Sequence, residues 1–253
     1  MRSRFSLHLL KFWFPLGIFL LMGFLDVGAA SPKMPAAGDP CPSGLDVAAA
    51  RALAPESIEA CVKARLSALH DVSLTLSGEL QTSADSGTLA LRLRAQILPP
   101  NLLRYEIDQP DSMAGLLQIL DKEAGTFATY YPVSNTVVTG PIDRLQGQAA
   151  LPIDVSQVMS LPPAEAFDVS VVGAEPGATA PLLEVQAAHK ALADAPVLRF
   201  WFDTGDWLLT RMTETTAAGL TRIDIRLSDV QLDAGLTRAA LTALPAGAQV
   251  RHI

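Results

Sequence analysis

The sequence predicts a mainly β fold of the α+β class: a single antiparallel sheet of about eleven strands, with a few short helices covering its apolar face. From residue 71 onward, apolar and polar side chains alternate with a period of two, the pattern of strands that have one buried face. Turn residues interrupt this alternation at short intervals, as they do in an antiparallel meander. Helical spacing of apolar residues is confined to short segments.

The first helical pattern runs from Leu45 to Leu69, and Pro55 divides it because proline cannot donate a hydrogen bond inside a helix. The proline-rich stretch 141–165 is predicted to hold one short helix at 154–161, and a last helix is predicted at 237–241. The candidate strands lie at 74–81, 89–97, 103–108, 115–121, 126–131, 136–139, 167–172, 182–187, 197–203, 208–214, 220–227 and 229–232.

A sheet of this size must cover its apolar face, close into a barrel or leave a cavity. Few helical segments are available as cover. The alternation alone leaves two structures open: an apolar space between sheet and helices, or a fully packed core.

The composition excludes several classes of function. Of 253 residues, 49% are hydrophobic, and the formal net charge is −7. An acidic chain repels phosphate backbones, so no nucleic-acid partner is expected. Four histidines and two cysteines exclude most zinc scaffolds, and the sequence has no metalloprotease, serine-hydrolase, phosphate-loop or dinucleotide motif. We therefore expect a protein that is not an enzyme, with no cofactor and with neither catalytic nor metal-binding residues.

Residues 1–30 have the form of a secretory signal peptide. Basic residues precede an apolar run from Phe12 to Leu25, and small residues follow it. Cleavage is predicted after Ala30, with Ala29 as the second choice. The alternative is a single membrane anchor, for which the apolar run is short.

Export changes the interpretation of Cys41 and Cys61. In an oxidising compartment, two cysteines at this separation most simply form a disulfide. The bond would tie the proline- and glycine-rich linker 31–44 to the first helix and contribute about 3 kcal/mol. A redox pair and two unpaired thiols stay open as alternatives.

An ordered series of short motifs resembles the LolA-like family of periplasmic lipoprotein carriers. The motifs are Leu-Pro-Pro-Asn-Leu-Leu-Arg-Tyr-Glu at 98–106, Gln109-Pro110, Leu-Gln-Ile-Leu-Asp at 117–121, the run 130–137 that begins Tyr-Tyr-Pro, Phe-Trp-Phe-Asp at 200–203, Asp-Val-Gln-Leu-Asp at 229–233 and the closing 244–250. Each motif is weak alone, and their order over 57–250 carries the resemblance.

The resemblance implies that 45–253 is one half-closed barrel with helices as a lid. Members of the family hold acyl chains of a lipoprotein in the space between, carrying them as monomers from an inner-membrane release complex to an outer-membrane acceptor. The expected cargo is an acylated lipoprotein or another lipid, and the expected location is the periplasm. The alternatives are a periplasmic lipid-sensing regulatory protein and a glycolipid-export factor with the same fold.

Strand parity and the resemblance together nominate the side chains that face the cargo. The predicted cavity residues are Val62, Leu66, Leu91, Leu93, Ile97, Leu103, Tyr105, Ile107, Phe200 and Phe202. The predicted lid residues are Ile153, Val155, Val158, Met159 and Leu161. A static plug packed permanently on the sheet is the alternative to a movable lid.

Overall fold

The computed structural model describes residues 41–81, 87–99, 101–145 and 160–253, which belong to one compact unit spanning 39–253. The predicted signal peptide 1–30, most of the linker 31–44 and most of the predicted helix 154–161 lie outside the described residues. Within the described part of the chain, no helix has both the length and the apolar character needed to cross a membrane.

Between residue 41 and the first strand, the structure has two helices. Helix α1 (Val47–Arg51) is capped by Asp46, whose carboxylate accepts a hydrogen bond from the backbone of Ala49 at 2.7 Å. Helix α2 (Pro55–Ala68) begins at Pro55, where the missing N–H is harmless because no helical carbonyl precedes it. The predicted division of the helical region at Pro55 is therefore confirmed.

The described residues form twelve strands in one open sheet. The strands are β1 (Val72–Gln81), β2 (Thr88–Leu98), β3 (Leu102–Gln109), β4 (Leu117–Asp121), β5 (Thr126–Tyr131), β6 (Thr136–Pro141), β7 (Phe167–Glu175), β8 (Leu182–His189), β9 (Val197–Asp203), β10 (Leu208–Thr215), β11 (Thr221–Leu232) and β12 (Gln249–His252). Their order across the sheet is β12-β6-β5-β4-β3-β2-β1-β11-β10-β9-β8-β7. Two meanders, β1 to β6 and β7 to β11, thus meet where β1 pairs with β11.

The sheet differs from the predicted one at two strands. The segments 220–227 and 229–232 form one strand, β11, because Asp229 takes a left-handed conformation (φ 52°) and the register with β1 shifts there instead of breaking. The chain also ends in an additional strand, β12, which runs parallel to β6. The sheet is therefore mixed, and the prediction of a purely antiparallel sheet was wrong at this one pairing.

The two faces of the sheet differ in chemistry. One face, here called the inner face, carries the main apolar cluster, whose fully buried members include Leu76, Leu93, Phe202 and Ile225. Helices α1 and α2 cover this face and join the same cluster through their own buried side chains, Ala50, Ile58, Cys61 and Val62. Cys41 packs against the cluster too, and its predicted disulfide with Cys61 stays a prediction. The opposite face, here called the outer face, carries most of the charged strand residues.

Helix α3 (Arg238–Thr242) lies on the outer face, not over the inner face as predicted. Its boundaries agree with the predicted helix 237–241 within one residue, and the Thr237 hydroxyl caps it. Leu241 is fully buried in a second apolar cluster formed with three strand residues, Leu102, Leu117 and Ile119. Strands β3 and β4 point apolar side chains to both faces, so each face needs a cover.

Candidate functional site

The ten predicted cavity residues all belong to the main apolar cluster on the inner face. Eight of them are buried: Val62, Leu91, Leu93, Leu103, Tyr105, Ile107, Phe200 and Phe202. The remaining two, Leu66 and Ile97, are half-buried and pack against that cluster. The structure therefore brings the candidates into one apolar cluster, to which helix α2 contributes Val62 and Leu66, and their role in binding lipid stays a prediction.

The predicted lid falls mostly outside the described residues. Ile153, Val155, Val158 and Met159 lie there, so whether that segment is a movable lid or a static plug stays open. Leu161 is described, is half-buried and packs against the main cluster.

A buried polar row crosses the inner face at β3, β4 and β5. The Tyr105 hydroxyl donates to the side-chain oxygen of Gln118, and the Gln118 amide donates to the Thr129 hydroxyl at 3.3 Å. Gln118 and Thr129 are each only 1% exposed. The alternation of apolar and polar residues in the sequence did not predict this row. In β4 the apolar residues Leu117 and Ile119 pack under helix α3, so they mark the outer face as buried and not the inner one.

The inner face also holds a buried carboxyl, Glu214, on strand β10. Glu214 is 8% exposed, and desolvation raises its pKa, while the nearby Arg222 guanidinium acts in the opposite direction. The two side chains are 3.8 Å apart. Sequence analysis did not single out Glu214, since an isolated glutamate in a strand is normally on the solvent side.

A pocket of about 180 Å³ opens at the edge of the apolar layer, between the start of α2 and the edge strand β7. We call it the edge pocket. Its lining combines apolar with charged residues: Pro55, Glu56, Glu59, Leu161, Pro162, Ala164, Phe167, Asp168, Val169 and Lys190. Leu161, Phe167 and Val169 also pack against the main cluster, so the pocket is continuous with the apolar layer.

Three carboxylates and one ammonium group surround the edge pocket. The Lys190 ammonium donates to the carbonyl of Ala164 at 2.7 Å and lies 3.8 Å from the Asp168 carboxylate. Glu56 and Glu59 project from the first turns of α2 and are exposed. Within the described residues, no hydrogen bond or ion pair engages either glutamate carboxylate.

A second cavity, about 260 Å³, lies on the outer face over β11, β1, β2 and β3. Its lining is mostly polar, with one leucine: Ser73, Leu74, Thr75, Arg94, Gln96, Arg104, Glu106, Asp229 and Gln231. The two guanidinium groups are already engaged. Arg94 lies 3.3 Å from Glu106, and Arg104 donates to two carbonyl groups at the end of helix α3. Burial lowers the pKa of Arg104, against the opposing effect of Glu106.

His70 lies 3.2 Å from Asp233 at the surface, where the histidine side chain is 88% exposed. Across the described ranges, no group of three or more His, Cys, Asp or Glu side chains could hold a metal ion.

Solved structures of similar fold were found, whereas no protein-family model and no curated protein sequence matches this chain. An uncharacterized conserved protein from Thermus thermophilus is 17% identical with a TM-score of 0.55, over 78% of this chain and 98% of that protein. At this identity the likeness establishes a shared fold and nothing about activity.

Two further similar structures have TM-scores below 0.5. A putative outer membrane lipoprotein-sorting protein domain from Vibrio parahaemolyticus is 14% identical, with a TM-score of 0.42, over 73% of this chain and 94% of that domain. A LolA superfamily protein from Nitrosomonas europaea is 10% identical, with a TM-score of 0.38, over 76% of this chain and 99% of that protein.

Proposed function

We propose that this protein is a periplasmic carrier that holds the acyl chains of lipoproteins, or of a related lipid, between its helices and the inner face of its sheet. The proposal includes delivery from the inner to the outer membrane, through the release complex and acceptor that the sequence resemblance implies. It also includes export by the predicted signal peptide and action as a monomer. It needs no chemical step.

One observation carries the proposal: a continuous apolar face is covered, within the described residues, by two short helices. Main-cluster side chains extend from β3 through β1 to β7, whereas α1 and α2 have five and fourteen residues. Separating the helices from the sheet exposes the four side chains that they bury in the cluster, Ala50, Ile58, Cys61 and Val62, and a bound ligand must offset that cost. An acyl chain that replaces them on the face gains about 0.8 kcal/mol for each methylene removed from water.

Loading therefore requires the helices to move relative to the sheet. In the described structure helix α1 is fastened to the edge strand by Arg51, which donates to the carbonyl of Ala174 at 3.2 Å. Both groups regain water partners when this hydrogen bond breaks. Opening at this edge consequently costs little polar free energy.

The test compares lipid binding by two variants, one with a substitution on the inner face and one with the same substitution on the outer face. Leu103 (3% exposed) lies on the inner face, and its neighbour Leu102 (2% exposed) lies on the outer face under helix α3. We expect Leu103→Glu to bind a fluorescent palmitoylated peptide at least about tenfold more weakly than the unaltered protein, because a carboxylate in the acyl site is costly to desolvate. Leu102→Glu should retain the affinity. Circular dichroism checks that each variant is folded.

A second pair of variants, with the uncharged glutamine in place of glutamate, is used if the glutamate variants do not fold. Ile97 and Leu98 are both half-buried and belong to opposite faces. Ile97→Gln should weaken binding more than Leu98→Gln does. Equal binding by both folded variants of a pair would contradict the assigned face, and failure of the unaltered protein to bind any acylated probe would contradict the function.

A further inference from the structure

We infer that the edge pocket selects acyl chains whose head group is cationic or uncharged and disfavours anionic ones. The inference rests on the proposed function, since it concerns which acylated molecules the same apolar layer accepts. It is drawn from the chemistry of the pocket mouth.

The apolar side of the pocket adjoins the main apolar cluster, which is the proposed acyl site. Leu161, Phe167 and Val169 line the pocket and also pack against the main cluster. The pocket has a volume of about 180 Å³. The pocket can thus hold the part of a ligand where an acyl chain joins its head group, with the rest of the chain under the helices.

The charged side of the pocket is where the head group would lie. The carboxylates of Glu56, Glu59 and Asp168 face a single ammonium group, that of Lys190. Lys190 is already hydrogen-bonded to the Ala164 carbonyl and lies beside Asp168, so it offers little attraction to a ligand anion. The two glutamates are exposed and are the charges that a head group would meet first.

The N-terminal end of helix α2 weakens the negative potential at the pocket mouth without reversing its sign. Glu56 and Glu59 sit in the first turns of the helix, whose positive end amounts to about half an elementary charge. Two full carboxylates exceed that partial charge. The whole chain, with a formal net charge of −7, adds repulsion of anions at longer range.

The experiment compares three ligands with the same acyl chain and the same amide linkage: the N-lauroyl derivatives of lysine amide, glutamine amide and glutamic acid α-amide. Their affinities are measured by displacement of a fluorescent acyl probe, below micelle-forming concentrations. At low salt, the lysine ligand should bind about threefold to tenfold more tightly than the glutamate ligand, with the glutamine ligand between them. The difference should shrink at high salt, because exposed charges are screened.

A matched pair of double variants tests whether the pocket mouth is responsible. Glu56→Gln with Glu59→Gln removes the two carboxylates of α2, and we expect the lysine-to-glutamate preference to fall to about onefold to twofold. Glu79→Gln with Asp143→Asn removes the same charge from exposed positions that do not line the pocket, and should leave the preference nearly unchanged.

The outcomes separate this inference from the function on which it rests. Equal binding of the three ligands, preference for the glutamate ligand, or equal effects of the two double variants would each overturn the inference while leaving an acyl-binding function intact. Binding of none of the three would contradict the function itself.

Discussion

At the scale of single residues, Asp71 fastens the C-terminal segment to the first strand of the sheet. Its carboxylate accepts hydrogen bonds from the backbone N–H groups of Ala234, Gly235 and Leu236, at 2.7, 3.0 and 3.1 Å. Asp71 is only 4% exposed, so water cannot readily replace it as the acceptor. The Asp71 carboxylate therefore helps to set the direction of the chain after β11, together with the hydrogen bonds that Asp233 makes with His70 and with the Asp71 carbonyl.

We expect Asp71→Ala to lower the free energy of unfolding by about 1–3 kcal/mol, because three backbone N–H groups lose a charged hydrogen-bond acceptor. Urea denaturation measures the change. Asp143→Ala, at an exposed position, serves as the control and should stay within about 0.5 kcal/mol of the unaltered protein. Equal stability of the two variants would mean that the N–H groups find other partners.

Glu214 makes the stability of the protein depend on pH. Since desolvation raises its pKa above the ordinary 4.5, the folded state binds a proton more tightly than the unfolded state does. The contribution of this group is then most favourable below pH 4.5, and it is lost as the pH rises through the raised pKa.

Glu214→Gln should therefore raise the thermal midpoint relative to the unaltered protein at pH values above the raised pKa. The gain should disappear at pH values below the ordinary pKa, where the glutamate is neutral in both states. Melting curves recorded from about pH 4 to about pH 8 follow the trend. A gain in the thermal midpoint of the same size at every pH would show that a change in packing, and not the ionisation of Glu214, causes it.

At the scale of secondary structure elements, Gly78 sets the distance between β1 and β11. A Cβ atom at this position would lie 2.0 Å from the carbonyl oxygen of Asp224 and 2.7 Å from Cα of Ile225. Both atoms belong to the backbone of β11 and cannot rotate away. The junction of the two meanders thus requires a residue without a side chain.

Gly78→Ala should destabilise the protein by about 1–3 kcal/mol, since the strands must separate to accommodate the methyl group. Gly87→Ala is the control, because nothing lies within 4 Å of the position of its Cβ. Chemical denaturation of both variants measures the difference. A Gly78→Ala protein as stable as the control would show that β1 and β11 can move apart freely.

Elements with one apolar face were predictable from the sequence, and those with two were not. Strand β2 alternates cleanly around Leu91 and Leu93, and both side chains are buried on the predicted face. In β4 the apolar Ile119 faces helix α3, while the polar Gln118 faces inward and is hydrogen-bonded across strands. Alternation identifies two faces but cannot state which one lies inside, because that depends on the helix that covers it.

At the scale of the whole molecule, the sequence predicted the class of fold and missed the strand order. The period of two describes each strand separately and carries no information about its neighbours in space. Strand β12, which pairs with β6, has four residues, all exposed. It lacks the apolar alternation that would predict a strand. The edge pocket was likewise beyond prediction, since it joins the start of α2 to a strand more than one hundred residues later.

The central position of β1 has a consequence for the time course of folding. Strand β1 is the first strand in the sequence, yet one of its two neighbours is β11. Val72 therefore pairs with Leu232. Hairpins within each meander close in about microseconds, whereas this ladder must close a loop that contains most of the chain. We expect the β1–β11 junction to be the slow step and the folding rate to be low for a domain of this size. Until it closes, each half-formed sheet exposes an apolar edge strand, which is the period in which the chain is most prone to aggregate.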